Sequence, residues 1–263
     1  MESFEFHRPS TVEEAKALLA ARVDGKFLGG GQSLIPVMKL DLAAPSDLIC
    51  LKGLRELKGI EVRDGRVVVG ASVTHAEVET SRLIRQSLPA LAKLAHGIGD
   101  AQVRNRGTLG GSIAHADPQA DYPAAVVALD GRVETDQRTI DADAFFTGLF
   151  ETALERDEII TAVHFRAVDR AAYAKFPNPA SKYAIVGVMV ATWGDEVRVA
   201  VTGAGPKVFR LTDMERALSK NFAPEALASI EVDPTDFLDE LDAGPDYRAH
   251  LVKVMAARAV AAA

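Results

Sequence analysis

Two glycine-rich segments contain the residue types best suited to holding a ligand. The first glycine segment, residues 29–34, follows Leu28 and reads Gly29-Gly30-Gly31-Gln32-Ser33-Leu34. Consecutive glycines allow close approach of the backbone to a ligand and positive φ, and such a turn can point successive N–H groups at an anion. A tight turn that holds no ligand is the alternative, and the spacing alone does not decide between the two.

The second glycine segment, residues 108–112, combines glycines with small hydroxyl side chains and reads Thr108-Leu109-Gly110-Gly111-Ser112. We expect its backbone donors and hydroxyl groups to converge on a pyrophosphate. Asp117 and Asp121 follow it, and their carboxylates can accept hydrogen bonds from sugar or ribityl hydroxyls. Helix capping and turn formation around Pro118 are the alternative for these two acids.

The spacing of both segments differs from the standard nucleotide motifs. A Rossmann fingerprint needs G-x-G-x-x-G at the start of a helix, but the first glycine segment has Leu34 where the third glycine should stand. No G-K-S/T triplet of a P-loop occurs either. Two distant glycine segments without these fingerprints indicate a ligand that is held between two lobes.

The elements around these segments alternate between helices and strands. Ser10 or Thr11 can cap a helix, and a strand over residues 26–28 leads into the first glycine segment. Asp64-Gly65 is a strong hairpin signal between strands at 61–63 and 66–70. The other predicted strands cover 48–51, 124–129, 132–134, 159–166, 183–193 and 196–202, and the predicted helices cover 12–21, 75–79, 83–95 (with a break at Pro89), 211–220 and 246–262.

Composition and charge exclude several classes of protein. The 263 residues are 48 % hydrophobic and carry a net charge of −7, which argues against general binding to nucleic acid. The single cysteine, Cys50, cannot form an internal disulfide or ligate an iron–sulfur cluster alone. Every uncharged run is shorter than the roughly 20 residues of a membrane helix, and no signal peptide is visible. We therefore expect a cytoplasmic protein without a membrane span.

Together the two segments resemble the FAD-binding signatures of a known family. The sequence G-G-G-Q-S-L-I-P-V-M-K at 29–39 and the sequence Q-V-R-N-R-G-T-L-G-G-S-I-A-H-A-D-P-Q-A-D at 102–121 are similar to those of the flavoprotein subunit of molybdenum hydroxylases. The most similar group is the medium subunit of aerobic carbon monoxide dehydrogenase-like enzymes, which is related to the FAD domain of xanthine dehydrogenase. The resemblance covers nearly the whole chain, and the pair of signatures is far more specific than either alone.

The resemblance implies which residues contact FAD. The two glycine segments would wrap the diphosphate from two lobes, Asp121 would hydrogen-bond the cofactor, and Lys175 would reach it from the chain that enters the last domain. Ser112 stands where many relatives have asparagine, and either side chain can donate to a phosphate. The predicted cofactor-binding residues are Leu28, Gly29, Gly30, Gly31, Gln32, Ser33, Leu34, Ile98, Thr108, Gly110, Gly111, Ser112, Asp117, Asp121, Ile160, Lys175 and Tyr183.

The resemblance also implies an architecture of the α+β class. A vanillyl-alcohol-oxidase-type FAD-binding domain would cover residues 1–175, in lobes of about 1–57 and 58–175. A C-terminal domain over residues 176–263 would contain a three-stranded antiparallel sheet and helices. That domain would bring Tyr183 toward the isoalloxazine; a buried aromatic position in a core strand is the alternative for this side chain.

The function implied by the resemblance is electron transfer within a larger complex. FAD in this chain would receive electrons from a small subunit with 2Fe–2S clusters, next to a large molybdenum-cofactor subunit, in a dimer of heterotrimers. Arg104 and Arg106 could form part of the docking surface, with ordinary surface ion pairing as the alternative. No nucleophile–base pair and no metal-ligand spacing occurs, so we predict neither a catalytic residue nor a metal site. A stand-alone flavin oxidase and a flavin-less nucleotide-binding assembly protein are the alternative functions.

Overall fold

A computed structural model describes residues 1–263, which form three successive units of helices and strands. The strands are β1 (Glu5–His7), β2 (Gly25–Leu28), β3 (Asp47–Cys50), β4 (Ile60–Arg63), β5 (Arg66–Gly70), β6 (Arg132–Thr135), β7 (Thr139–Asp141), β8 (Phe146–Gly148), β9 (Glu151–Thr152), β10 (Ile160–Arg166), β11 (Arg170–Pro177), β12 (Ala184–Trp193), β13 (Glu196–Thr202) and β14 (Phe209–Arg210). The helices are α1 (Val12–Ala20), α2 (Leu34–Lys39), α3 (His75–Thr80), α4 (Arg82–Ser87), α5 (Pro89–His96), α6 (Ala101–Arg104), α7 (Leu109–His115), α8 (Tyr122–Ala128), α9 (Ala142–Phe145), α10 (Thr212–Lys220) and α11 (Pro245–Ala262). The mixture of helices and sheets confirms the predicted α+β class.

The first unit is a small parallel sheet in the order β1-β3-β2. Helix α1 begins near its predicted start because the Thr11 hydroxyl accepts a hydrogen bond from the backbone N–H of Glu14 at 3.1 Å. Strand β2 ends at Leu28, so the first glycine segment leaves the carboxyl end of a parallel strand. Ligands of open α/β sheets bind at this edge.

The second unit is an antiparallel sheet in the order β4-β5-β10-β6-β7. Asp64 and Gly65 join β4 to β5 as predicted, and both have positive φ, 53° and 71°, as a type I′ hairpin turn requires. After β5, Thr74 and Glu77 form a capping box in which each side chain accepts a hydrogen bond from the other residue's backbone N–H. This cap starts α3 immediately at His75.

The strand predicted over residues 124–129 is wrong, because this stretch lies almost entirely in α8. Every residue of α8 is buried. One side of the helix belongs to the core of the second unit, and another side contacts β12 and β13. A helix that is buried all round has no polar face, so its apolar run lacks the periodicity that separates helix from strand.

The third unit is an antiparallel sheet in the order β11-β12-β13-β14, flanked by α10 and α11. It has four strands rather than the predicted three, because Phe209–Arg210 adds a two-residue edge strand to β13. Strand β11 begins at Arg170, so the predicted boundary between residues 175 and 176 falls inside a strand of this sheet. No helix of the chain is both long enough and apolar enough to cross a membrane.

Candidate functional site

A cavity of about 560 Å³ lies where the three units meet. Its volume is in the range of small-molecule and cofactor sites, roughly 300–1,000 Å³. The two glycine segments, α7 and the chain between β11 and β12 all contribute to its wall. Of the predicted cofactor-binding residues, all line this cavity except Lys175. The structure therefore brings together two segments that are about eighty positions apart in sequence.

The first glycine segment presents a run of free backbone donors to the cavity. No backbone N–H group from Gly29 to Leu34 donates a hydrogen bond to an acceptor of the chain. Gly31 has a φ of 74°, which a glycine adopts without the steric cost of a side chain. Because buried or partly buried N–H groups normally find a partner, this array is suited to an anionic ligand such as a diphosphate.

The second glycine segment uses its backbone donors differently, since four of its five N–H groups, those of Leu109 to Ser112, are already bonded within the chain. Leu109 N–H donates to Val73 O at 3.0 Å and Gly110 N–H donates to Ala71 O at 2.9 Å. The Gly111 N–H donates to the Thr108 hydroxyl oxygen at 3.1 Å, which caps α7. The Ser112 N–H donates to the Thr108 carbonyl at 3.0 Å. The expectation that backbone donors of this segment converge on a pyrophosphate therefore needs correction for Leu109 to Ser112, and only the Thr108 N–H has no acceptor within the chain.

Side-chain hydroxyls remain as the polar groups that the second glycine segment offers to the cavity. The Ser112 hydroxyl makes no hydrogen bond within the chain. The Thr108 oxygen accepts from Gly111, which leaves its O–H free to donate. Both residues line the cavity, so the segment can still contribute hydroxyl donors to a phosphate.

The glycines of the two segments also make close packing between backbones possible. A Cβ on Gly30 would overlap the Arg106 carbonyl oxygen and lie 2.6 Å from the Cα of Gly107. A Cβ on Gly110 would lie 2.5 Å from the Cβ of Ala71, and real Cβ atoms do not approach other atoms so closely. Neither glycine has a positive φ. These two glycines are therefore required by packing rather than by a left-handed backbone.

Asp117 and Asp121 lie in the segment between α7 and α8, which we call the acidic segment (residues 117–121). The Asp117 carboxylate accepts from the Gln119 N–H at 2.8 Å, and burial raises the pKa of Asp117. Asp121 is 5 % exposed; its carboxylate accepts from the Tyr173 hydroxyl at 2.6 Å. Burial raises the pKa of Asp121, and the Lys175 ammonium partly opposes this effect.

Lys175 does not line the cavity and lies behind the part of its wall that Asp121 forms. Its ammonium is 3.0 Å from the Asp121 carboxylate. It also donates to the carbonyl oxygens of Gly97, at 2.8 Å, and Lys182, at 2.9 Å. One ammonium thus joins three parts of the wall: the chain next to Ile98, the acidic segment and the chain next to Tyr183.

The remaining predicted residues form the sides of the cavity. Ile98 and Ile160 give apolar surface. Tyr183 is 37 % exposed and precedes the first residue of β12, so the alternative of a core strand aromatic is wrong. Partial burial raises the pKa of the Tyr183 hydroxyl. The tyrosine therefore lies at the edge of the cavity, open both to solvent and to a ligand.

Sequence reasoning missed His75, a buried residue of the cavity wall. Its Nδ1 atom is buried without a hydrogen-bond partner, and its backbone N–H donates to Gly107 O at 3.0 Å. Burial, together with the positive charge of Arg104, lowers the pKa of His75 to about 4, so the imidazole is neutral at pH 7. Its only signal in the sequence was its position directly after the helix cap Thr74. Other wall residues that were not predicted include Leu154, Glu158, Ser181 and Lys182.

The two arginines proposed for docking have different surroundings. The guanidinium of Arg104 is 17 % exposed and donates to the Glu79 carboxylate at 2.8 Å and to the Ile98 carbonyl at 3.2 Å. Arg104 therefore supports α6 and the cavity wall from inside the chain. Arg106 is exposed and stays available to a partner.

Free backbone donors next to apolar walls are typical of proteins that bind a phosphate-bearing aromatic cofactor. The sequence model of the family described as the FAD binding domain in molybdopterin dehydrogenase matches residues 2–165. The chain belongs to this family.

Relatives and solved structures are similar over nearly the whole chain. The carbon monoxide dehydrogenase medium chain of Hydrogenophaga pseudoflava is 35 % identical, over 99 % of this chain and 96 % of that protein. The nicotine 6-hydroxylase medium subunit of Paenarthrobacter nicotinovorans is also 35 % identical, over 96 % of this chain and 94 % of that protein. A solved structure of the Hydrogenophaga pseudoflava carbon monoxide dehydrogenase, described as lacking the Mo-pyranopterin moiety, superposes with a TM-score of 0.88 at 33 % identity, covering 100 % of this chain and 97 % of that chain.

Proposed function

We propose that this chain is the FAD-binding, electron-transferring subunit of a molybdenum hydroxylase complex. Electrons reach it from iron–sulfur clusters of a partner and leave to an external acceptor. The observation that carries the proposal is the run of free N–H groups in the first glycine segment at one side of the cavity. Membership of the FAD-binding family supports the same conclusion.

The groups present in the cavity fit FAD. Free N–H groups from Gly29 to Leu34 suit the diphosphate, and Thr108 and Ser112 add hydroxyl donors from the opposite segment. Ile98 and Ile160 offer apolar surface to an aromatic ring system. When bound, FAD supplies the redox chemistry of the site, and the chain supplies binding, orientation and electrostatics.

The acidic segment gives the cavity its fixed polar groups. Asp121 would accept from the cofactor while Tyr173 and Lys175 hold its carboxylate in place. Lys175 is in our proposal a support for Asp121 and for the wall, and not a direct contact of FAD. Asp117 and Tyr183 line the same region and are proposed as further contacts.

The proposed partners are subunits that would carry the metal centres that this chain lacks the residues to hold. Its single cysteine cannot hold an iron–sulfur cluster, so we propose a small 2Fe–2S subunit and a large molybdenum-cofactor subunit, assembled as a dimer of heterotrimers. The names of two relatives, a carbon monoxide dehydrogenase medium chain and a nicotine 6-hydroxylase medium subunit, support a chain that works with further subunits. We also propose that the first two units are the lobes of a vanillyl-alcohol-oxidase-type domain, with the C-terminal domain beginning near Arg170. The cytoplasmic location stays a prediction.

The experiment that tests the proposal is release and identification of the cofactor from purified protein. Heat or acid precipitation should release all flavin into the supernatant as FAD, because nothing in the chain is proposed to bind it covalently. At a hundredfold excess over Kd, free FAD should stabilise the fold by about 2.7 kcal/mol. Release of FMN would contradict the dinucleotide site, and absence of any flavin binding would favour the nucleotide-binding assembly protein.

A second measurement separates an electron-transfer subunit from a stand-alone oxidase. The isolated chain, loaded with FAD, should not reduce a dye with carbon monoxide, purines or aldehydes. The complex that co-purifies with it should contain molybdenum and iron. Substrate-driven dye reduction by the chain alone, free of molybdenum, would overturn the proposal.

A further inference from the structure

The acidic segment is held in place from outside mainly by the third unit of the chain. Its Pro118 carbonyl accepts from the Gly203 N–H at 2.7 Å, and its Gln119 carbonyl accepts from the Ala184 N–H at 3.1 Å. The family model ends at residue 165, so all these donors lie beyond the FAD-binding domain that the family match recognises.

Thr202 makes the most buried of these contacts. Its side chain is fully buried, and its hydroxyl oxygen is 2.7 Å from the Ala120 carbonyl and 2.9 Å from the Pro118 carbonyl. One hydroxyl hydrogen is thus shared between two carbonyl oxygens of the acidic segment. Thr202 does not line the cavity, whereas Ala120 does.

The register of the sheet explains why the acidic segment lies here. Lys175, Gly187 and Thr202 form one row across β11, β12 and β13. Any Cβ on Gly187 would lie 2.9 Å from the Thr202 methyl group and would overlap the Tyr173 hydroxyl. The glycine therefore leaves room for Tyr173 and Thr202, while the two flanking residues of the row reach Asp121 and Ala120.

A second route, made of side-chain hydrogen bonds, connects the third unit to the acidic segment through α11. Arg248 is fully buried and donates to the carbonyls of Ile185, at 2.7 Å, and Gly203, at 2.6 Å. It also donates to the Glu240 carboxylate at 2.5 Å. The same Glu240 oxygen accepts from the Gln119 side chain at 2.6 Å, which links α11 to the acidic segment through two side chains.

We infer that the third unit is the positioning element of the FAD site, with Thr202 as its central positioning residue. Thr202 acts through Pro118 and Ala120 to fix the acidic segment, and Arg248 acts through Glu240 and Gln119. The inference rests on the proposed function, because it takes the cavity to be the FAD site. It assigns a role in cofactor affinity to residues that touch neither the cavity nor the glycine segments.

The test is FAD titration of the full chain after flavin removal, for the native sequence and for Thr202→Val. Valine keeps the shape but leaves the buried Ala120 carbonyl without a donor and the Pro118 carbonyl with the Gly203 N–H alone, so we expect the Kd for FAD to rise about tenfold. Thr202→Ser restores the hydroxyl and should restore most of the affinity. The visible circular dichroism of the bound flavin should change in Thr202→Val and return in Thr202→Ser.

The matched control is Thr192→Val in the neighbouring strand β12. Thr192 is also buried, and its hydroxyl contacts no residue of the acidic segment. Equal FAD affinities of Thr202→Val and Thr192→Val would overturn the inference. If Thr202→Val does not fold, Gln119→Met breaks the second route at a partly exposed residue; an unchanged Kd there would also count against the inference. Failure of the native chain to bind FAD would instead reject the proposed function.

Discussion

The two glycine segments consist of the same kinds of residue but do different work. In the first glycine segment the backbone donors are free and a positive φ occurs at Gly31. In the second, the donors of Leu109 to Ser112 are bonded within the chain, and Gly110 fits closely against Ala71. Tight packing at a glycine occurs in both segments, at Gly30 and Gly110, but the first segment leaves its backbone donors free and the second uses those of Leu109 to Ser112 within the chain.

This difference teaches that a glycine-rich signature does not by itself locate the ligand contacts. In our proposal the first segment binds the ligand, because its N–H groups have no partner within the chain. The second is built to support, because it packs against the first and against β5. Substitutions of single glycines should therefore separate the two roles: a change at Gly31 should weaken FAD binding, and a change at Gly110 should weaken the fold before FAD is added.

The largest effect is expected for Gly110→Val in the second segment. Its Cβ would lie 2.5 Å from the Ala71 Cβ and 2.8 Å from the Ala71 carbonyl oxygen. Overpacking against a backbone cannot be relieved by a rotamer change, so we expect the free energy of unfolding to fall by about 3 kcal/mol or more. Chemical denaturation of the FAD-free chain measures this loss. Gly53→Val is the control, because a Cβ there meets nothing nearer than the Pro9 carbonyl at 4.0 Å.

The next largest effect is expected from acid, which should lower the stability of the chain through His75, a residue packed against Gly107 directly before the second segment. The pKa of His75 in the folded chain, about 4, is below its ordinary value of 6.5. The folded state therefore binds fewer protons than the unfolded state, and stability is lost as the pH falls from 6.5 to 4, by about 3 kcal/mol.

Denaturation of the FAD-free chain across this pH range checks the prediction, with His75→Gln as the comparison. The raised pKa values of Asp117 and Asp121 act in the opposite direction, since protonation of these acids is favoured in the folded state. His75→Gln removes the group whose protonation destabilises the folded state, so the free energy of unfolding should fall less steeply between pH 6.5 and 4 in this variant. An unchanged slope in His75→Gln would show that another group is responsible.

A smaller effect is expected for Gly31→Ala in the first segment. Alanine at a φ of 74° costs about 1–2 kcal/mol. Because no hydrogen bond holds the N–H groups of this segment, we expect the loop to relax and the cost to fall on FAD affinity. The FAD Kd should rise by about tenfold with little change in melting temperature without FAD. A large fall in that melting temperature with normal affinity would reverse the assignment of the two segments.

The smallest effect is expected from single hydroxyls of the second segment. Ser112→Ala removes a hydroxyl that is free in the chain, so stability without FAD should hold while FAD binding weakens by about 0.5–1.5 kcal/mol. Thr108→Val removes the cap of α7 and should lower stability without FAD by about 0.5–2 kcal/mol. Paired titration and thermal melts distinguish these outcomes. Equal changes in FAD affinity and in melting temperature for the two variants would contradict the separate roles assigned to Ser112 and Thr108.

Local signals in the sequence predicted much of the fold correctly. The Thr11 cap and the Asp64-Gly65 turn lie where expected because each depends on a few adjacent residues. Helix α8 was predicted as a strand because its burial on all sides depends on the third unit, which no local pattern reveals. The short strand β14 was missed for a different reason, because two residues are too few to show a strand pattern.

The sequence predicted which residues line the cavity better than it predicted the contacts that each of them makes. Resemblance selected the wall residues well, but it could not show that Lys175 supports Asp121 from behind. His75 was missed because its role depends on Gly107 and on burial, both of which are set by tertiary contacts. Whether a backbone N–H group is free or hydrogen-bonded likewise depends on tertiary contacts, which the sequence does not show.

The position of Arg248, far downstream of the acidic segment, has a consequence for the order of biosynthesis. Domains generally fold as units while the chain is still being made, from the N-terminus onward. The acidic segment, however, waits for an arginine that is translated 127 residues after Asp121. We therefore expect tight FAD binding to begin only after Arg248 and the rest of α11 have been made. Nascent chains stalled before Arg248 should retain less flavin than chains in which α11 has left the ribosome.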